Sequence, residues 1–168
     1  MFRSVALPAP IPGRLYLHGM PGRREPLEAA FAALGELAID CVVCLSPQDE
    51  LARKSPEYAR AVESCALGVR AGLPSLEWDH LPIDDLGAPA DTAAFWAVAK
   101  SAASRLRSGE HVLIHCAAGV GRTGTLAICV LLALGVPLDT SRELVAAAGA
   151  GPEVDAQERL VTEGRVPS

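Results

Sequence analysis

Residues 111–134 read HVLIHCAAGVGRTGTLAICVLLAL, and this stretch carries the strongest structural signal in the chain. The run His111–His115 is typical of a buried strand, and the apolar residues from Leu126 to Leu134 favour a helix. The glycine-rich segment between them therefore predicts a loop at a strand-to-helix junction. Backbone N–H groups at a helix start lack partners and meet the positive end of the peptide dipole, so such a loop is suited to bind an anion.

Cys116 and Arg122 lie at the two ends of this loop. A cysteine near a helix N-terminus or an arginine is stabilised as a thiolate, the nucleophilic form. The planar guanidinium group of an arginine presents donors that match two oxygens of a phosphoryl group. The loop thus predicts a nucleophile, a set of oxyanion donors and a charge clamp in one segment. A cysteine that only fills the core is the alternative, but it leaves Arg122 unexplained.

The pattern His-Cys-x5-Arg-Thr, here HCAAGVGRTGT, resembles the signature loop of cysteine-dependent protein phosphatases and is most similar to the atypical dual-specificity branch with the kinase-associated phosphatases. The resemblance implies that Cys116 attacks phosphorus, that Arg122 holds the equatorial oxygens, and that Thr123 steadies the departing thiolate. It also implies that His115 supports the loop through hydrogen bonds. The implied phosphate-binding residues are Ala117, Ala118, Gly119, Val120, Gly121 and Arg122.

A second stretch, His80–Pro89, resembles the acid loop of the same family, whose pattern is Pro-Ile-x-Asp with a proline a few residues later. The resemblance assigns Asp85 as the general acid for the leaving oxygen. Adjacent side chains of an extended segment point to opposite sides, so we expect only one of two neighbouring carboxylates to face the pocket, with Asp84 as the substitute. Ordinary turn acids are the simpler interpretation of this segment.

The stretch that begins at Gly151 resembles the family segment in which a glutamine helps to arrange the hydrolytic water, and that position is Gln157 here. We favour the simpler interpretation of Gln157, an exposed glutamine on a helix. The chain departs from the family just before this segment, because residues 147–150 read AAGA where relatives usually carry an Arg-Pro pair. We therefore expect the contacts that support the signature loop to differ.

Two other classes of protein compete for the same loop. Residues 119–124 fit G-x-G-x-x-G, the fingerprint of dinucleotide-binding proteins, but that fold needs a second strand soon after the helix. The segment that follows here, Thr140–Ala148, has a helical pattern, so this interpretation is the weaker one. A noncatalytic phosphate-binding module is the other alternative. Such a module is expected to lack the cysteine, the arginine or the acid, and this chain has all of them.

Strand-like and helical segments alternate along the chain. Strands are predicted at Arg14–His18 and Ile39–Leu45, and helices at Leu27–Leu37 and from an Asp91 cap to about Arg107. This alternation predicts an α/β fold with a central, mostly parallel sheet flanked by helices, like that of dual-specificity phosphatases. We expect a single phosphatase domain over residues 1–168, in which residues 1–13 form either an irregular N-terminal segment or an ordered edge segment.

The composition restricts the kinds of molecule that the chain is expected to bind. The chain has 168 residues, 50% of them hydrophobic, and a net charge of -5, which fits a globular domain. It has no apolar run of 18 residues, so we expect no membrane-spanning segment. An acidic chain disfavours nucleic acids and other polyanions. The neutral loop residues Ala117, Ala118 and Val120 disfavour phosphoinositides and RNA 5′-triphosphates, because relatives acting on polyphosphorylated inositols tend to carry Lys or His there. The expected substrate is therefore a phosphorylated protein or peptide, and no metal or cofactor is required.

The arginine pairs and the remaining cysteines have simpler interpretations. Arg23-Arg24 and Arg105 with Arg107 could form a local basic rim, although scattered surface arginines are the commoner interpretation. Cys41 and Cys44 have C-x-x-C spacing, but strand alternation places their thiols on opposite faces, so we expect both to pack in the core. An odd number of cysteines and a nucleophilic thiol predict a reducing compartment, the cytoplasm. The sequence does not indicate an oligomeric state.

Overall fold

The structure, a computed structural model, describes residues 2–163 and has five strands and eight helices in that range. The strands are β1 (Arg3–Val5), β2 (Arg14–His18), β3 (Cys41–Cys44), β4 (Glu77–His80) and β5 (His111–His115). The helices are α1 (Leu27–Glu36), α2 (Gln48–Lys54), α3 (Pro56–Glu63), α4 (Leu67–Arg70), α5 (Thr92–Arg107), α6 (Gly121–Ala133), α7 (Leu138–Ala147) and α8 (Asp155–Glu163).

The five strands form one sheet in the order β1-β2-β5-β3-β4. β1 runs antiparallel to β2, and the other neighbours are parallel. The predicted α/β fold with a mostly parallel sheet is thus confirmed. Because the carboxyl ends of parallel strands share one edge, the signature loop (residues 116–122), which follows β5, and the acid loop (residues 81–89), which follows β4, leave the sheet on the same side.

Side chains alternate between the two faces of the central strand β5. Val112 and Ile114 join a core cluster with residues of α5 and α6, whereas Leu113 joins a second cluster with residues of α1 and α3. All three are fully buried. Burying such a side chain stabilises the fold by about 1.5–3 kcal/mol. Helices packed on both faces therefore fix the position of β5, the strand that leads into the signature loop.

The same alternation separates the two cysteines of the C-x-x-C motif. Cys41 belongs to the cluster on the α5–α6 face, and Cys44 belongs to the cluster on the opposite face. The prediction that both pack in the core on opposite faces is confirmed. Burial raises the pKa of each thiol to about 12, so both remain protonated and chemically inert at neutral pH.

Two helices frame the loops. Asp91 caps α5 as predicted, because its Oδ1 accepts a hydrogen bond from the backbone N–H of Ala94 at 2.9 Å. Helix α6 begins at Gly121, five residues before the predicted apolar stretch, and is buried on all sides from Gly121 to Leu131. The end of the signature loop is therefore the first turn of a helix enclosed by protein.

The N-terminal segment is ordered at its start. Arg3–Val5 pairs with Leu15–Leu17, and Val5 is buried in the core, so this part of the segment is an edge strand rather than an irregular tail. Within residues 2–163, no helix combines the length and the apolar character that crossing a membrane requires.

Candidate active site

The signature loop folds back over the sulfur of Cys116. The backbone N–H of Gly119 donates to Cys116 Sγ at 3.2 Å, and the thiol is buried. Gly119 has φ of 76°, and a Cβ on it would lie 2.3 Å from the His18 carbonyl oxygen, so both the turn and the close approach to β2 require glycine. The predicted strand-to-helix loop is therefore present, with the Gly119 amide directed at the cysteine sulfur.

Close packing also fixes the other end of the loop. A Cβ on Gly124 would lie 2.1 Å from the backbone nitrogen of Gly151, and the N–H of Gly151 donates to the carbonyl oxygen of Val120 at 3.3 Å. The glycines that fit the dinucleotide fingerprint thus let α6 approach the segment before α8. Helix α7 follows α6, and no strand follows α6 within the described residues, so the second strand that a dinucleotide site needs is not found there.

Arg122 is held by a carboxylate that no sequence motif indicated, that of Glu50. Its Nη1 lies 2.7 Å from Glu50 Oε2 and its Nη2 lies 3.3 Å from Glu50 Oε1, which is a bidentate ion pair between two buried groups. Nη1 also donates to the carbonyl oxygen of Ile83 at 2.8 Å. Burial alone would raise the pKa of Glu50, but hydrogen bonds from Arg122 and Lys54 outweigh it and lower that pKa to about 2. The pair is thus charged at neutral pH and holds the guanidinium plane in one orientation.

We expect Glu50→Gln to lower kcat/KM for phosphate esters by about 10²-fold, because the guanidinium loses the partner that orients it and small misplacements have effects of that size. Removing one charge of a buried pair should also lower the free energy of unfolding by about 3 kcal/mol. Steady-state kinetics and urea unfolding measure the two effects. Asp49→Asn is the matched control, because Asp49 is the exposed neighbour of Glu50 in α2. Equal activity in the two variants would exclude a positioning role for Glu50.

The acid loop brings one of its two carboxylates to the site. Asp85 Oδ1 lies 3.0 Å from Arg122 Nη2, and Asp85 Oδ2 lies 3.6 Å from Lys54 Nζ, while the side chain stays 63% exposed. Asp84 is exposed and, among the described residues, its side chain has no hydrogen bond or ion pair. The structure therefore places Asp85, and not Asp84, beside Arg122 in a position open to a substrate.

Gln157 is buried, which corrects the interpretation that it is an exposed helix residue. It is 1% exposed, its Nε2 donates to the carbonyl oxygen of Gly87 at 2.8 Å, and its Oε1 accepts from the backbone N–H of Glu153 at 2.9 Å. The amide thus ties the acid loop, two residues after Asp85, to the start of α8. Nothing in the sequence around a single polar residue of a short helix indicates such a distant contact.

His115 lies beneath the loop in a chain of hydrogen bonds. Its Nδ1 lies 3.3 Å from the Cys116 carbonyl oxygen, which can only accept, so Nδ1 carries the proton and Nε2 accepts from the Tyr58 hydroxyl at 2.8 Å. Tyr58 in turn accepts from Trp78 Nε1 at 3.3 Å. Complete burial lowers the pKa of His115 to about 3, so the ring is neutral. His115 therefore occupies the supporting position that the resemblance implied.

Neutral burial of His115 makes stability depend on pH. The unfolded chain binds a proton at this histidine below about pH 6.5, whereas the folded chain resists protonation down to about pH 3, so acid favours the unfolded state. We expect this group to remove about 2 kcal/mol of stability between pH 6.5 and pH 5. Urea unfolding at both pH values should show that loss in the wild type and in His111→Gln, and a flatter dependence in His115→Gln. An unchanged slope in His115→Gln would contradict the assignment.

An arginine from the N-terminal strand supports the signature loop. Nη1 of Arg3 donates to the carbonyl oxygens of Ala148 at 3.1 Å and Gly149 at 2.7 Å, and its Nη2 donates to the carbonyl oxygen of Gly119. Arg3 thereby links the loop to the segment where the family's Arg-Pro pair is missing. This supporting contact comes from a residue 116 positions away from Gly119, which no motif could have identified.

The remaining candidate, Thr123, is fully buried, and its hydroxyl has no hydrogen-bond partner within residues 2–163. A buried hydroxyl without a partner is costly unless a group that binds there satisfies it. In the same range, no group of three or more His, Cys, Asp or Glu side chains is placed to hold a metal ion. The loop thus combines a buried thiol, a fixed guanidinium group and an unpartnered hydroxyl, a set of groups suited to bind a tetrahedral anion.

Comparison with known protein families matches the segment that contains Glu50, Asp85 and the signature loop. Residues 18–136, well over half of the chain, match the family model described as "Polymorphic toxin system, DSP-PTPase phosphatase". Cyclin-dependent kinase inhibitor 3 of Rattus norvegicus is 40% identical over 55 residues, which cover 33% of this chain and 26% of that protein. The aligned part is therefore only about a quarter of that relative.

Solved structures share the fold over nearly the whole chain. A kinase associated phosphatase with serine in place of its catalytic-site cysteine has a TM-score of 0.75 at 20% identity, with 98% of this chain and 93% of that chain covered. Tk-PTP in its active form has a TM-score of 0.66 at 21% identity, with coverage of 96% and 95%. Human DUSP28 has a TM-score of 0.65 at 18% identity, with coverage of 96% and 91%. At these identities the likeness shows the fold.

Proposed function

We propose that this chain, which belongs to the polymorphic toxin system DSP-PTPase phosphatase family, hydrolyses phosphate esters of proteins. The reaction passes through a cysteinyl-phosphate intermediate. The observation that carries the proposal is the loop itself. One short segment holds a buried thiol, which accepts from the Gly119 amide, together with an arginine fixed by Glu50. A nucleophile and a bidentate anion clamp in one loop are the parts that phosphoryl transfer needs.

In the first step, the Cys116 thiolate attacks phosphorus. The S–P bond forms as the P–O bond of the ester breaks, and Asp85 gives its proton to the departing oxygen. In the second step, a water molecule attacks phosphorus, Asp85 takes its proton, and the S–P bond breaks to release inorganic phosphate and the thiolate. Asp85 thus returns to its starting protonation state, and no electron is gained or lost.

Charge that develops on the phosphoryl oxygens is stabilised by the loop. The backbone N–H groups of residues 117–122 lie at the start of α6, where the helix dipole favours negative charge. Arg122 adds two parallel donors from a buried guanidinium, and burial strengthens each of these interactions. Because Glu50 already orients Arg122, little reorganisation is needed when the substrate binds.

The ion pair between Asp85 and Arg122 gives the acid loop a way to respond to substrate. A phosphate group carries a charge of about −1.5 to −2 and three acceptor oxygens, so it competes with the single carboxylate for Arg122 Nη2. Displaced from Arg122, the exposed Asp85 takes up a proton from solvent and turns toward the leaving oxygen of the ester, to which it gives that proton. Gln157, bonded to the Gly87 carbonyl oxygen, limits how far the acid loop moves.

Thr123 and Gln157 complete the second step. The unpartnered hydroxyl of Thr123 donates to the Cys116 thiolate as the S–P bond breaks, which makes the sulfur a better leaving group. Gln157 lies close to the start of α6, where a Cβ on Gly121 would be 3.1 Å from Gln157 Oε1. From that position the amide helps to orient the hydrolytic water as well as the acid loop.

A phosphorylated protein or peptide is the proposed partner. Ala117, Ala118 and Val120 add no charge to the loop, which fits a single phosphate ester better than a polyphosphorylated headgroup. All five cysteines are free thiols, and the mechanism needs one of them reduced, so we place the activity in the cytoplasm or another reducing compartment.

The test is hydrolysis of p-nitrophenyl phosphate and of phosphotyrosine and phosphothreonine peptides in the presence of a chelator and a reductant. Turnover of the aryl ester and of at least one peptide supports a protein phosphatase. Binding of the peptides without turnover, in protein shown to be folded, would instead support a noncatalytic phosphate-binding module.

A further inference from the structure

A cavity of about 280 Å³ lies beside the signature loop and is rich in arginine. Arg3, Arg23, Arg24 and Glu25 line it together with Ala117 and Ala118 of the loop. Ala117, Ala118 and Val120 line it but Cys116 and Arg122 do not, so the cavity borders the phosphate site on the side away from the thiol and the catalytic arginine. Arg23 and Arg24 line this one cavity together with Arg3, which fits a local basic rim better than scattered surface arginines.

The charged side chains that line this cavity include more arginines than glutamates. Three arginines face one glutamate there, although the whole chain has a net charge of -5. The Glu25 carboxylate accepts from the backbone N–H of Gly22 at 3.2 Å and lies 3.1 Å from His18 Nε2, and no arginine among the described residues forms an ion pair with it. By contrast, Arg105 pairs with Glu77 and Glu110 elsewhere on the surface.

Two of the arginines are fixed to the loop by neutral oxygens. Nη1 of Arg23 donates to the carbonyl oxygen of Ala117 at 2.9 Å, and Arg3 donates to that of Gly119. A carbonyl oxygen orients a guanidinium group without neutralising it, so both keep their positive charge. Arg24 is exposed and, among the described residues, forms no hydrogen bond or ion pair. Its five N–H donors are available to a group that enters the cavity.

We propose that this cavity binds a second anionic group of the substrate, a carboxylate or phosphate on a residue next to the phosphorylated one, with Arg24 as the principal contact. The inference rests on the proposed function, since it names the class of phosphopeptide that the same site prefers. Ala117 and Ala118 form the wall between the two sites, so a peptide whose phosphate ester lies in the loop extends a flanking side chain over that wall. The guanidinium groups then pair with a flanking acid and not with a neutral residue.

The test uses two phosphotyrosine peptides that differ only in the flanking residues, which are glutamates in one and glutamines in the other. For the wild type we expect kcat/KM to be about twofold to fivefold higher for the glutamate peptide, the size that a partly exposed ion pair produces. The ratio should approach one as ionic strength rises, because salt screens exposed charges. A peptide with a second phosphate should give a larger ratio, because the group carries more charge.

Arg24→Glu should lower the ratio of the two rates to one or below, because the positive charges of Arg3 and Arg23 are then offset by two glutamates. Arg14→Glu is the matched control, since Arg14 is exposed at the amino end of β2, away from the loops at the carboxyl ends. That variant makes the same change in net charge and should keep the wild-type ratio. A lowered ratio in Arg24→Glu, with the wild-type ratio kept in Arg14→Glu, supports the subsite.

Equal rates on the two peptides in the wild type, or an unchanged ratio in Arg24→Glu, would overturn the subsite. In both cases the wild type still hydrolyses p-nitrophenyl phosphate, so the proposed function is unaffected. A shift of the ratio in Arg14→Glu as large as in Arg24→Glu would also overturn it, because the effect would then come from total charge. If the proposed function is wrong, the result is different: the wild type hydrolyses neither the aryl ester nor either peptide.

Discussion

Cys116→Ser should lower phosphatase turnover by about 10⁴-fold or more, because a serine hydroxyl at the same position is not ionised at neutral pH and is a much weaker nucleophile. The loop offers the sulfur a backbone donor from Gly119 but no general base that could activate a hydroxyl. Phosphopeptide binding should persist, since the loop amides and Arg122 are unchanged. Steady-state hydrolysis and a binding titration with the same peptide separate the two effects.

Cys65→Ser is the matched control for this experiment. Cys65 is exposed, whereas Cys41, Cys44 and Cys129 are buried in the core, where a substitution also disturbs packing. The control should keep wild-type activity. Turnover by Cys116→Ser within tenfold of the wild type would mean that a different group attacks phosphorus, and the assignment of the signature loop as a catalytic site would be wrong.

Asp85→Asn should slow the hydrolysis of alkyl phosphates by about 10²–10⁴-fold, because an amide cannot protonate the departing alkoxide. Hydrolysis of p-nitrophenyl phosphate should fall much less, since nitrophenolate leaves without protonation. Measurement of kcat/KM for both esters in the variant gives the contrast. A loss that depends on the leaving group distinguishes a general acid from a residue that merely holds the loop.

Asp84→Asn is the matched control, because it removes the same charge from the adjacent residue without affecting the contact to Arg122. It should leave both rates near those of the wild type. Equal losses on the two esters in Asp85→Asn, or a larger leaving-group effect in Asp84→Asn, would transfer the acid role away from Asp85.

The parts of the structure that local sequence determines were predictable. The apolar run of β5, the glycines of the loop and the apolar stretch of α6 are contiguous, so the strand, loop and helix follow from residues 111–134 alone. Asp91 caps α5 through an N–H only three residues away. The α/β fold and the family resemblance are confirmed, because alternating strands and helices admit few arrangements and the signature loop is specific.

The supporting residues of the site were not predictable, because they lie far away in sequence. Glu50 is 72 positions from Arg122, and Arg3 is 116 positions from Gly119. In the sequence Glu50 is one of two adjacent acids in the first turn of a short helix, and nothing distinguishes it from Asp49. Gln157 was expected on the surface because a polar residue in a helix is usually exposed, and only the fold brings the acid loop onto it.

The measurement that tests the mechanism most directly is rapid acid quenching of the wild type during turnover of a phosphotyrosine peptide, followed by mass spectrometry of the proteolytic fragment that contains Cys116. The mechanism predicts a phosphoryl group on Cys116 that appears within the first turnover and is absent from Cys116→Ser. Sustained turnover with Cys116 unmodified at every quench time, or phosphorylation of another residue in its place, would contradict it.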